Sequence, residues 1–99
     1  LIFDEIDTGV SGEIAHKVGN ILMRLSENHQ LIAITHLPQI AAKGQHHLFV
    51  YKSTDAASTS TNIKLLNKTE RLNEIAKMLS GENPTKAAIQ NAKELLLQA

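Results

Sequence analysis

Two short apolar runs, each followed by polar residues, mark the first half of the chain. Residues 1–3 and 31–35 have the continuous pattern of strands that are buried on both faces of a parallel sheet. After Ser11, which can cap a helix, apolar residues recur on one helical face: Ile14, Val18, Ile21, Leu22 and Leu25. Pro38 suits the start of a short second helix, and Gly44 suits the left-handed residue that ends it. This order predicts a parallel β-α-β unit.

The pattern then changes to that of a β-hairpin. Residues 47–52 and 59–66 are rich in β-branched or aromatic side chains, and the polar segment 53–58 joins them. We therefore expect an α/β fold in which a mixed sheet, parallel in its first part and antiparallel in its second, is flanked by helices.

Two helices are predicted after the hairpin. Asn67 and Glu70 have the spacing of a capping box, and Gly81 follows the end of the first of these helices. Asn83 and Pro84 indicate the start of the second helix. The apolar stripes of the two helices are Leu72, Ile75, Ala76 and Leu79, and then Ala88, Ala92, Leu95 and Leu96.

Composition narrows the class of protein. The 99 residues suit one small domain, and the 10 basic residues balance the 10 acidic ones, so no strong attraction to nucleic acid is expected from charge alone. Cysteine is absent, no apolar run approaches membrane-spanning length, and no signal peptide is recognisable. We expect a soluble intracellular chain. Because Leu1 already belongs to an apolar run, we also expect a fragment.

Chemically capable side chains follow both predicted strands. Asp4 and Glu5 follow the first strand and His36 follows the second, and ligands of open α/β sheets bind beyond the carboxyl ends of strands. An apolar strand ending in aspartate has the form of a Walker B element, so Asp4 can help hold Mg²⁺ on a nucleotide. Glu5 then lies on the opposite side and can orient or deprotonate water. Two solvated acids at a strand end remain the alternative.

These motifs resemble a known family. The stretch "LIFDEIDTGVSG" resembles the Walker B and D-loop of ABC-type ATPase heads. The stretch "AITHLPQIAAKGQHHLFVYK" resembles the switch-histidine region of the RecN family of SMC-like bacterial DNA repair proteins, and the likeness continues from "LNKTERLNEIAKMLSG" to "AKELL". The resemblance implies that residues 1–99 form the C-terminal lobe of a P-loop ATPase head.

The resemblance also implies a role for individual residues. Asp4 would assist Mg²⁺ through water, Glu5 would be the catalytic carboxylate, and His36 would sense the γ-phosphate of ATP. The D-loop, which reaches across a head-to-head dimer, would contain Asp7 and would be shaped by Thr8, Gly9, Ser11 and Gly12. For Asp7 and Ser11, ordinary helix-entry chemistry remains an alternative.

The implied partners are the N-terminal part of the same head, a second head in an ATP-dependent homodimer, and DNA. ATP and Mg²⁺ are the implied cofactors, and the implied location is the bacterial cytoplasm, in association with the nucleoid. The implied process is double-strand-break repair by recombination.

The chain also departs from the family pattern. It contains no G-x-x-x-x-G-K-[ST] phosphate-binding motif, and no coiled-coil arm or signature motif, so we expect it to hydrolyse nothing by itself. Two alternatives stay open: a fragment of a helicase, suggested by the D-E-x-D pattern at 4–7, and a non-catalytic interaction module. Zinc at His46 and His47 is disfavoured because adjacent strand residues face opposite sides. The basic residues Lys64, Lys68, Arg71 and Lys77 are interpreted as a solvated face rather than a DNA-binding patch.

Overall fold

The fold contains four strands and four helices in the residues that the computed structural model describes, which are 1–4, 12–55 and 57–98. The elements are β1 (Ile2–Asp4), α1 (Gly12–Ser26), β2 (Ile32–Ile34), α2 (Pro38–Ala41), β3 (Leu48–Thr54), β4 (Thr59–Leu65), α3 (Lys68–Ser80) and α4 (Lys86–Gln98). Within these ranges, no helix has the length and apolar character needed to cross a membrane.

The first two strands confirm the predicted β-α-β unit. Strands β1 and β2 pair in parallel, with Phe3 opposite Ala33 and Asp4 opposite Ile34. Phe3 and Ala33 pack against a buried cluster of Ala15, Leu22 and Ile40. The prediction that both faces of these strands are buried is wrong, because Ile34 and the other isoleucines on the opposite face are exposed.

The buried face of helix α1 differs from the predicted one. Its buried residues are Ala15, Gly19 and Leu22, whereas Ile14 and Ile21 are exposed. The reason is close packing against the segment that follows α2. A Cβ on Gly19 would lie 2.7 Å from the Cδ atom of Lys43, so the small side of α1 faces that segment. The close contact with Lys43 thus determines which face of α1 is buried, although the exposed isoleucines are larger.

The hairpin forms as predicted but does not join the parallel pair. Strands β3 and β4 pair antiparallel, with Val50 opposite Ile63. Among the described residues there are two separate two-stranded sheets, so the single mixed sheet that we predicted is wrong. Helix α2 begins at Pro38, directly after β2, and its segment packs in both buried clusters. The chain has therefore left the parallel pair before β3 begins.

The side chains of the hairpin change from apolar to hydroxyl-bearing along its length. Its half near the helices carries apolar side chains on one face, namely Leu48, Val50, Ile63 and Leu65. Towards the tip, hydroxyls pair across the strands, Ser53 with Ser60 at 3.2 Å and Thr54 with Thr59 at 3.3 Å. At the turn, the carboxylate of Asp55 accepts hydrogen bonds from the backbone N–H groups of residues 57 and 58, which lower the pKa of Asp55.

Helices α3 and α4 form the second core. The predicted capping box is present: Asn67 Oδ1 accepts from the Glu70 N–H, and Glu70 Oε1 accepts from the Asn67 N–H. Gly81, at φ 99°, follows the end of α3. The buried residues that hold the two helices together are Ile75, Ala76, Ala88 and Ala92, joined by Ala42.

Helix α4 begins two residues later than Pro84. Thr85 Oγ1 accepts a hydrogen bond from the Ala88 N–H at 3.0 Å, which is the geometry of an N-cap. The helix therefore starts at Lys86 rather than at the predicted Asn83 or Pro84.

Helix α2 connects the two cores although it has only four residues. Ile40 belongs to the cluster beneath the parallel pair, while Ala42, at its C-cap, belongs to the cluster between α3 and α4. This short segment thus holds the first half of the molecule against the second.

Candidate functional site

The carboxyl edge of the parallel pair brings two of the predicted site residues to one side of the molecule. Asp4 ends β1 opposite Ile34, the last residue of β2, and His36 follows two residues later. Both Asp4 and His36 are exposed. The prediction that the two strand ends meet at one edge is confirmed.

The turn after β2 determines where His36 lies. Thr35 Oγ1 accepts a hydrogen bond from the Leu37 N–H at 3.0 Å, which closes a tight local turn around His36. Leu37 is extended and Pro38 opens α2, so His36 occupies the junction between strand and helix. A shift of α2 would therefore move His36.

The other predicted site residues lie outside the described residues. They are Glu5, Asp7, Thr8, Gly9 and Ser11. Their roles in catalysis and nucleotide binding stay predictions. The helix that follows them starts at Gly12, where a Cβ would lie 3.4 Å from Nε2 of Gln39, so α1 begins beside α2.

The end of α2 is held by an arginine that the sequence reasoning interpreted as solvated. Arg71 Nη2 donates to three backbone carbonyls, those of Ala41 and Ala42 at 3.0 Å and that of Gly44 at 2.6 Å. Burial lowers the pKa of Arg71. One turn before the buried Ile75, Arg71 lies on the inner side of α3, and this spacing is the signal that could have placed it there.

Gly44 does not end α2 in the left-handed conformation, which corrects the sequence prediction. Among the described glycines only Gly81 has a positive φ. Instead, the N–H groups of Lys43 and Gly44 donate to carbonyls three residues earlier, and Arg71 binds carbonyls that remain at the helix end. A distant side chain thus replaces the local glycine cap.

His47 lies beside this arginine and is half-buried. Its Nδ1 is buried without a hydrogen-bond partner among the described residues. Burial is the main cause that lowers the pKa of His47 below its usual value of 6.5; the Arg71 guanidinium lowers it further, and Glu74 opposes both. The neutral imidazole is therefore the form that the fold accommodates.

We expect His47 to make the fold less stable in mild acid. Well above pH 6.5, His47 is neutral in both the folded and the unfolded chain, so it adds no pH dependence. As the pH falls from there to the lowered pKa of the folded state, the unfolded chain takes up the proton first and the free energy of unfolding decreases. Urea unfolding of H47Q at pH 7.5 and 5.5 should show a smaller loss than the parent chain. H46Q, at the exposed neighbouring histidine, should keep the loss, and equal losses in all three would contradict this prediction.

Two of the other basic side chains are engaged in ion pairs. Lys64 pairs with Glu70, which raises the pKa of Lys64 and lowers that of Glu70. Lys77 lies 3.3 Å from Glu74 and 3.9 Å from Glu82. With Arg71 turned inward, these pairs disfavour a continuous basic surface for DNA on α3. Across the described parts of the chain, no group of three or more His, Cys, Asp or Glu side chains could hold a metal ion.

An apolar groove lies between the parallel pair and the hairpin. It has a volume of about 1570 Å³, and β2 lines one side with Ile32 and Ile34. The hairpin lines the other side with Leu48, Val50, Ile63 and Leu65. These side chains are at least 46% exposed, which is unusual for so many large aliphatic residues at neighbouring positions. We call this surface the apolar groove.

Comparisons with known proteins identify relatives along the whole chain. The DNA repair protein RecN of Vibrio cholerae is 46% identical over 99 residues, which are 100% of this chain and 18% of that protein. RecN of Rickettsia conorii is 49% identical over 96 residues, 97% of this chain and 18% of that protein. RecN of Bacillus subtilis is 42% identical over 99 residues, 100% of this chain and 17% of that protein. No family model matches the chain.

The match covers only a part of these relatives. The chain spans less than a fifth of the length of each, so more than four-fifths of each relative has no counterpart in the printed sequence.

Proposed function

Since this chain is homologous along its length to one segment of the DNA repair protein RecN, we propose that it is the C-terminal part of an ATPase head. It supplies the Walker B carboxylates, the D-loop and the switch histidine to a nucleotide site. ATP binding brings two such heads together and hydrolysis releases them. The cycle serves double-strand-break repair by recombination in the bacterial cytoplasm, on the nucleoid.

The observation that carries this proposal is the shared carboxyl edge of β1 and β2. Asp4 and His36 lie at the ends of adjacent parallel strands, beyond which α/β sheets bind their ligands. An exposed carboxylate is an oxygen ligand of the kind that Mg²⁺ prefers, and a histidine at such a position can donate to a phosphate oxygen. Bound Mg²⁺ would neutralise negative charge on the phosphates.

The residues present fit one side of a nucleotide site. The sequence has no glycine-rich phosphate-binding loop, and exposed Asp4 and His36 make no cradle by themselves. In the proposed head, Asp4 would help hold Mg²⁺ through water, Glu5 would orient or deprotonate the attacking water, and His36 would hold the terminal phosphate. The segment from Asp7 to Ser11 contributes across the dimer.

The apolar groove supports the proposal that this chain contacts another part of the same head. The side chains of Val50 and Ile63 are 60% and 66% exposed, and each would gain roughly 1 to 2 kcal/mol from being covered. The relatives contain a large further part, and a head requires a phosphate-binding lobe that this chain lacks. We therefore assign the groove to the N-terminal part of the head.

A chimera tests the proposal. This chain would replace the matching segment of the Vibrio cholerae relative, and Mg²⁺-dependent ATP turnover would be measured for the chimera and for the isolated chain. We expect turnover by the chimera alone. Replacing Val50 and Ile63 by lysine in the chimera should lower turnover at least tenfold, because two charges would be buried at the joint. In the isolated chain both positions are exposed, so the same pair should lower the unfolding midpoint only slightly, through the repulsion between the two opposed lysines.

The control places two lysines at another directly opposed pair of the hairpin. Thr54 and Thr59 lie opposite each other near the tip, so the double lysine variant there has the same charge and the same mutual repulsion. It should keep full turnover. An inactive chimera that is folded and binds no ATP would refute the ATPase proposal. If this chain assembles with the rest of the head without nucleotide and without hydrolysis, the interaction module is favoured instead. Strand separation by an active chimera would favour the helicase.

A further inference from the structure

The side chain of Arg71 ties α3 to the segment that carries His36. We infer that Arg71 is a positioning residue for His36, an inference that rests on the proposed function of His36 in the nucleotide site. The prediction from the sequence placed this arginine, 35 positions beyond His36, on a solvated face. The observations that carry the inference are the three carbonyl hydrogen bonds, the restraints on the connecting segment and the packing of this segment against both cores.

The three carbonyl bonds hold the end of α2 in place. Ala41 is the last residue of α2, Ala42 is its C-cap and Gly44 lies two residues further on; the Ala41 carbonyl also accepts a hydrogen bond from the Gly44 N–H. Arg71 Nη2 reaches all three at 3.0 Å or less. A charged donor makes stronger hydrogen bonds than a neutral one, and this donor is anchored on a longer helix. Helix α2 therefore cannot shift along its axis without breaking these bonds.

The connection from α2 to His36 is short and stiff. The N–H groups of Ala41 and Ala42 donate to the carbonyls of Leu37 and Pro38. Leu37 in turn donates to the Thr35 hydroxyl, and Pro38 has a fixed φ. Four residues thus separate His36 from Ala41, and hydrogen bonds or a proline ring restrain most of them. A displacement at the arginine end is transmitted to the histidine.

Packing holds the α2 segment on two sides. Ile40 is buried beneath the parallel pair and Ala42 between the last two helices, whereas Ala41 and Gly44 also line the apolar groove. If Arg71 is removed, the end of this segment can shift toward the groove, and His36 would shift with it. Misplacement of a reacting group by about 1 Å can lower a rate by about 100-fold.

A double-mutant cycle in the chimera tests the inference. ATP turnover would be measured for R71A, H36A and the double variant, with K68A as the control that removes a positive charge from the first turn of the same helix. We expect R71A to lower kcat about tenfold or more and to change KM by less than about twofold. In the H36A background, R71A should have less than a twofold further effect, because the group that it positions is already gone. K68A should behave like the parent, and R71K should restore part of the loss.

Additive losses in both backgrounds would overturn the inference, because a general loss of structure would lower turnover whether or not His36 is present. Hydrogen exchange of the chimera supplies a second measurement. R71A should speed exchange of the amides of residues 41–44, and unchanged exchange there would also overturn the inference. If the parent chimera hydrolyses no ATP, the proposed function fails. The link between Arg71 and His36 is then tested by this exchange and by the NMR resonances of the His36 ring, which R71A should shift. Unchanged resonances would overturn the inference.

Discussion

Glutamine in place of Glu5 is expected to lower ATP turnover of the chimera by about 10² to 10⁴-fold, the range typical for loss of a general base. Glutamine has nearly the same shape as glutamate but cannot accept a proton, so the nucleotide should still bind. We therefore expect kcat to fall while KM for ATP changes little. Turnover would be followed by phosphate release, and binding by a fluorescent ATP analogue.

A matched control separates this effect from a change of net charge. Glu94 is an exposed glutamate on α4, and E94Q removes the same charge away from the carboxyl edge of the parallel pair. It should leave turnover within about twofold of the parent. If E5Q does the same, then Glu5 is not the catalytic carboxylate.

Alanine in place of Ile75 is expected to cost about 2 to 5 kcal/mol of the free energy of unfolding. Ile75 has 0% exposure and packs at the centre of the second core, next to Ala76, Ala88 and Ala92. Larger side chains, among them Leu72 and Leu95, pack against this cluster only from its partly exposed rim. Urea unfolding followed by circular dichroism would measure it.

The control is the same substitution at an exposed helical position. Ile21 on α1 is 54% exposed, and I21A removes the same atoms from a surface where water already contacts them. We expect a loss below about 1 kcal/mol, partly offset because alanine is the better helix former. A similar loss at both positions would mean that Ile75 is less well packed than its burial indicates.

Local chemistry is the part of the fold that the sequence predicted well. The capping box at Asn67 and Glu70 depends on atoms three residues apart, and the structure has it as expected. The hairpin and the parallel pair follow from strong local patterns in the same way. For the candidate site, the prediction that Asp4 and His36 share an edge needed only the direction of two strands.

Properties that depend on distant contacts could not be predicted from the pattern. Arg71 binds carbonyls 27 to 30 residues away, and nothing in its neighbours shows that it replaces Gly44 as the cap of α2. The rotation of α1 depends on Lys43 lying against Gly19. The apolar runs of β1 and β2 indicate burial on both faces, but within the described residues one face of the pair, with Ile2, Ile32 and Ile34, is exposed.

The paired hydroxyls of the hairpin have a practical consequence. Ser53, Thr54, Thr59 and Ser60 satisfy one another, and this end of the hairpin lies beyond the aliphatic side chains that line the apolar groove. A fluorophore attached at Ser58, in the exposed turn, would touch neither core nor the proposed joint between lobes. The tip is therefore a suitable position for a reporter that would follow the approach and separation of two heads in the proposed nucleotide cycle.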